Sequence, residues 1–82
     1  MNFGQAIEAL KEGERVARSG WNGKLMFLIH INPYDSSQYK VNELEGLVGT
    51  LDPYIAMKTV ANSLVPWLAS QTDMLSEDWT IV

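Results

Sequence analysis

The chain has no cysteine in its 82 residues. That excludes a disulfide framework and the thiolate zinc sites, and it fits a reducing compartment. Histidine occurs once, at His30. There is no Ser-His-Asp set, no G-x-S-x-G elbow, no P-loop and no H-E-x-x-H, so neither a catalytic constellation nor a cofactor is expected. No apolar run approaches the roughly 18 residues that cross a bilayer. The opening stretch MNFGQAIEALKEGE lacks the basic start and apolar middle of a secretory signal. A cytoplasmic location without a membrane partner is therefore expected. Basic residues are few: Lys and Arg number 6 against 10 Asp and Glu, for a net charge of −4. Proteins that neutralise nucleic-acid phosphates normally carry a basic excess, so DNA and RNA are not expected partners. One or two phosphates on a small ligand stay within reach of a few local cations and backbone amides.

What is present describes one small globular domain over residues 1–82. The apolar share is 46% and the charged share 20%, an ordinary balance for a folded protein. A domain of this size buries only about 60% of its extended surface, so its core is thin and self-association is a common remedy.

Phe3, Ala6, Ile7 and Leu10 fall at helical spacing, with Asn2 placed to cap the start and Gly13 to close the end, predicting a helix over 3–12. Alternation over 14–18 predicts a short edge strand. Residues 25–31, LMFLIHI, form the most strand-like run, and their apolarity predicts cover on both faces. Turn chemistry follows at 32–38, and 39–52 read mostly as loop. A strand over 54–60, a reversal at Asn62-Ser63 and a partner strand in SLVPWLAS form a hairpin. Pro66 cannot donate to a ladder, so that partner lies at an edge. Ser70 and Asp73 form a shortened capping box for a helix ending near Glu77. A last strand takes in WTIV. The expected fold is α+β: a small antiparallel sheet with an N-terminal helix and a short C-terminal helix.

His30, inside an apolar strand, reads as a histidine satisfied at a sheet edge. Asp73 and Glu77 lie four apart and would share a helix face. Such a pair more often forms a solvated face than a metal site, and no metal is expected. Aromatic residues carry the stronger signal. Trp21, Trp67 and Trp79 each stand near a turn or an element end, where an indole combines apolar area with one N–H donor. Trp79 reads as core packing. Trp21 lies in GWNGK, and its glycine neighbours let the backbone approach a ligand closely, with Asn22 and Lys24 adding an amide and a cation. A flat ring beside these groups is a receptor for a nucleobase next to a phosphate. A second stretch, VPWLASQTD, crowds Ser70, Gln71, Thr72 and Asp73 at a helix start, where N–H groups accept anions and Asp73 could hold ribose hydroxyls. The same residues serve equally as a well-capped helix.

The order NFGQAIEALKEGERVARSGWNGK, MFL, YIAMKT and VPWLASQTDMLSEDW resembles the Thoeris anti-defence proteins of the second type, a phage and prophage family. The resemblance covers residues 2–31 and 53–82 and leaves 32–52 unmatched. It implies a molecular sponge that binds a cyclic ADP-ribose-type signal (glycocyclic ADP-ribose or a related molecule) from a bacterial TIR-domain enzyme. The signal is held without cleavage in the infected host, so the defence effector is never activated. Some relatives also sequester the cyclic dinucleotides of CBASS, and the family is understood to form a homotetramer with pockets between subunits. Trp21, Asn22, Gly23 and Lys24 match the turn motif, and Pro66, Trp67, Ser70, Gln71, Thr72 and Asp73 match the second. Their contact with ligand is inferred from their chemistry. Two alternatives stand beside the sponge. One is a phosphodiesterase leaning on His30 with Asp73, Glu77 or Asp78. The other is a small module that blocks a host protein through its aromatic surface.

Overall fold

A computed structural model describes residues 1–21, 25–32 and 52–82. The expected turn at 32–38 and loop at 39–52 fall almost wholly outside these residues. The described chain runs α1 (Phe3–Lys11), β1 (Val16–Arg18), β2 (Phe27–Ile31), β3 (Tyr54–Lys58), β4 (Leu64–Pro66), α2 (Gln71–Leu75) and β5 (Trp79–Ile81). The fold is α+β, as expected, with α1 laid across one face of an antiparallel sheet.

Local chemistry sets both helix starts. Asn2 Oδ1 accepts from Gln5 N at 2.8 Å while Asn2 N donates to Gln5 Oε1 at 2.9 Å, a complete capping box on α1. Gly13 follows α1 at φ 92°, a left-handed value that favours glycine. At α2, Ser70 Oγ accepts from Asp73 N at 3.0 Å and Asp73 Oδ2 accepts from Ser70 N at 3.3 Å. The shortened box read from the sequence is therefore in place.

The strand order is β4-β3-β2-β1-β5. Four strands follow one another as a meander, and β5 returns to pair with β1. Val16 thus stands between Leu28 of β2 and Ile81 of β5. The edge position expected for β1 is wrong, because the last strand covers the side that would otherwise be free. The edge position expected for β4 is right: Pro66 pairs with Ala56 on its inner side and needs no outward donor.

Period-two alternation sorts the strand residues onto two faces. Ala6, Ala9 and Leu10 of α1 are buried against Val16, Leu28 and Trp79 of the sheet, with Phe3, Ile7, Trp21, Ile55, Met57 and Trp67 packed around them. On the opposite face Ile29, Ile31 and Ala56 are buried against Phe27 and Tyr54. Both faces of β2 are covered, as its apolar run predicts. Backbone bonds close the margin where the chain begins: Met1 exchanges two with Trp79, at 2.7 and 3.1 Å.

Candidate functional site

The two stretches singled out in the sequence meet in space at Asp73. Its Oδ1 accepts from Arg18 Nη1 at 2.9 Å and, at longer range, from Trp21 Nε1 at 3.5 Å. Its backbone oxygen accepts from Trp79 Nε1 at 3.0 Å. Arg18 also donates from Nε to Asp78 Oδ1 at 2.9 Å. Asp78 Oδ2 in turn accepts from Gly20 N at 2.9 Å. A Cβ at position 20 would come within 3.0 Å of that oxygen, so the glycine permits the close approach. One guanidinium fork and two carboxylates therefore hold the entry to the GWNG turn against α2.

These charges are withdrawn from bulk water, with the side chains of Arg18 and Asp73 only 17% and 14% exposed. The hydrogen bond to Asp78, then that to Asp73, pushes the Arg18 guanidinium further up, so it stays charged. Arg18 chiefly holds the Asp78 carboxyl below the ordinary carboxylate range. For Asp73 partial burial is the largest single influence and works upward. Bonds from Arg18, Ser70 and Trp21 together outweigh it, and the carboxyl is lowered.

The indoles converge on the same corner. Trp21 and Trp79 meet edge to face with centroids 5.4 Å apart, and Trp67 meets Trp79 at 6.1 Å. Phe3 fills the remaining side at 5.6 Å from Trp79 and 6.1 Å from Trp67. Trp79 is fully buried, as read from the sequence. Trp21 and Trp67 are half-buried and keep part of their rings in solvent. Pro66, Ser70, Gln71 and Thr72 are exposed beside them. Asn22, Gly23 and Lys24 lie outside the described residues.

The carboxylate readings change. The helix ends at Leu75, and Ser76 is extended at φ −75°, ψ 151°, so Asp73 and Glu77 do not share a helix face. No hydrogen bond or ion pair joins His30 to Asp73, Glu77 or Asp78. Among the described residues no group of three His, Asp or Glu side chains is placed to hold a metal ion. No described helix is long and apolar enough to cross a membrane.

A second feature lies on the sheet face turned away from α1. Phe27 and Lys58 are cross-strand partners. Lys58 Nζ stands 5.6 Å and Arg15 Cζ 4.8 Å from the Phe27 ring centroid. Two hollows adjoin this trio, of about 370 Å³ toward Leu25, Met26 and Val82, and about 390 Å³ toward Ile29, Asn62 and Leu64. Leu25 is left-handed at φ 68° with its side chain 78% exposed. Its carbonyl accepts from Lys58 Nζ at 3.3 Å. Arg15, Phe27 and Lys58 are not among the residues that the sequence motifs single out. Their available signal was parity: Phe27 and Lys58 alternate with Leu28 and Met57 on paired strands, and Arg15 immediately precedes Val16 of β1.

The whole chain, residues 1–82, matches the Thoeris anti-defense 2-like (Tad2-like) domain. The chain belongs to the Tad2-like family. The protein named Thoeris anti-defense 2 of Bacillus phage SP01 is 42% identical over 91 residues, covering 100% of this chain and 94% of the phage protein. In this Tad2-like domain Gly20 and Trp21, which open the turn motif, are joined to the second motif through Arg18, Asp73 and Asp78.

Proposed function

We propose that this Thoeris anti-defence protein works as a sponge: it binds a cyclic ADP-ribose-type signal, glycocyclic ADP-ribose or a close relative, and holds it intact in the cytoplasm of the infected cell. Full-length identity of 42% to a Thoeris anti-defence protein of a phage carries this reading. The geometry supports binding over chemistry. Asp73 and Asp78 are bonded to Arg18 and held as carboxylates, which makes them poor proton donors near neutrality. Among the described residues His30 has no carboxylate bonded to it, which favours the sponge over the phosphodiesterase alternative. Retention without turnover needs no complementarity to a transition state.

The sponge reading includes assembly as a homotetramer with pockets between copies, and cyclic dinucleotides as a second ligand class. Apolar side chains exposed along both sheet margins support self-association: Leu64, Val65 and Leu68 at one, Ile81 and Val82 at the other. The half-buried Trp21 ring is the proposed platform for a base. Native mass spectrometry of the protein with glycocyclic ADP-ribose and with cyclic dinucleotides reads stoichiometry and selectivity together. Heating the complex must then release the starting molecule. Release of a cleaved product supports the esterase, and no retention with recovery of a host protein supports the protein-blocking module.

A further inference from the structure

We infer that the paired hollows around Phe27 seat the phosphates of a pyrophosphate-linked nucleotide, with Arg15 and Lys58 as the phosphate-holding cations. The choice of a nucleotide rests on the sponge reading; the choice of place does not. Four of the chain's six Lys and Arg are described. Lys11 pairs with Glu8, and Arg18 with Asp73 and Asp78. Arg15 and Lys58 have no carboxylate partner among the described residues, yet both stand over one phenyl ring. In a chain of net charge −4, two cations beside one ring with no carboxylate partner among the described residues favour an anion between them.

The surroundings suit a nucleotide better than a bare anion. Each hollow falls within the roughly 300–1,000 Å³ range of small-molecule pockets, at about 370 and 390 Å³. Leu25 and Met26 give one hollow an apolar wing, and Ile29 and Leu64 do the same for the other. Two phosphates bridging the cations would leave ribose and base edges against these wings. Lys58 is held ready by the carbonyl of Leu25, a residue in a left-handed conformation of the kind that gathers at binding sites. Phe27 lies on the sheet face opposite Trp79 and its indole neighbours. The phosphate seat is therefore distinct from the indole corner of the same protomer, and in the proposed tetramer a neighbouring copy supplies the indole.

Calorimetry with glycocyclic ADP-ribose, ADP-ribose and inorganic pyrophosphate tests this on wild type, Arg15→Ala, Lys58→Ala and the double variant. Each single change should weaken nucleotide binding by at least about tenfold, the worth of a charge-assisted bond. The double variant should bind none while melting near the wild-type temperature. A double variant that binds glycocyclic ADP-ribose as well as wild type overturns the inference and leaves the sponge reading standing. Pyrophosphate bound through Arg15 and Lys58 without any nucleotide overturns the nucleotide assignment and the sponge together. Wild-type protein that binds none of the three probes also overturns both.

Discussion

Arg18 and Asp73 are bonded at 2.9 Å across 55 positions of sequence, and this contact fixes where Gly20 and Trp21 sit against α2. A second branch of the same fork reaches Asp78 at 2.9 Å. The two bonds leave different nitrogens, Nε and Nη1, and lysine, with its charge on a single nitrogen, cannot reproduce that fixed fork. Arg18→Lys should therefore lower the melting temperature and loosen the chain at Gly20. Amide exchange at Gly20, whose N–H is bonded to Asp78, should speed up in the variant. Unchanged melting and exchange would show that the fork does not hold this corner.

The same contact sets an acid limit. Asp73 and Asp78 titrate lower in the folded chain than their ordinary value of 3.8. A carboxyl lowered by folding contributes stability that is fully present above its unfolded pKa and is lost as pH falls through the folded one. Urea unfolding should give a level stability from neutrality to about pH 5, then a decline below about pH 4. In Arg18→Met the two carboxyls lose their shared cation, and the acid decline should flatten. An equally steep decline in that variant would place the acid sensitivity elsewhere.

Trp21 has a packing role and a proposed binding role that substitutions can separate. Its ring packs edge-on against Trp79 at 5.4 Å, a pairing worth about 0.5–1.5 kcal/mol beyond its buried area. Its exposed part is the proposed base platform, and stacking on such a ring is worth about 1–3 kcal/mol of affinity. Trp21→Phe should keep most of both, losing the N–H directed at Asp73. Trp21→Ala should lose stability and affinity together. Calorimetry on a folded Trp21→Ala protein that finds full affinity for glycocyclic ADP-ribose would reduce the indole to core packing.

Removing the α2 cap should act on stability alone if the ligand lies elsewhere. Ser70→Ala deletes the acceptor for Asp73 N and should cost about 0.5–2 kcal/mol by chemical denaturation. A larger fall in ligand affinity than in stability would place Ser70 among the contacts.

The fold was legible wherever local chemistry and period agree. Asn2, Gly13, Ser70 and Asp73 mark helix ends by their own hydrogen bonding or backbone freedom. Pro66 marks an edge by lacking a donor. The place of β1 was not legible, because pairing with β5 joins residues such as Val16 and Ile81 that lie far apart in sequence. The candidate site was legible in part for the same reason. Indoles at turns announce themselves, and the second motif announces a cap. The fork from Arg18 to Asp73 and Asp78, and the gathering of Arg15 and Lys58 at Phe27, exist only once the strands are in register.

Leu25 marks the most specific disagreement between pattern and structure. Its place in LMFLIHI predicts a strand residue, yet β2 begins at Phe27 and Leu25 sits at φ 68° with its side chain largely in water. A leucine in this region costs about 1–2 kcal/mol relative to a right-handed residue, and its exposed side chain returns little packing. Glycine adopts the same backbone without that clash, at the expense of a more flexible unfolded chain. Leu25→Gly should therefore leave the protein as stable or more stable, by up to about 1 kcal/mol. Its carbonyl still meets Lys58, so nucleotide affinity should fall only by the apolar wing that the side chain lends to the hollow. A variant that melts well below wild type would show that the leucine side chain is packed in solution, and that the left-handed turn is held by that packing.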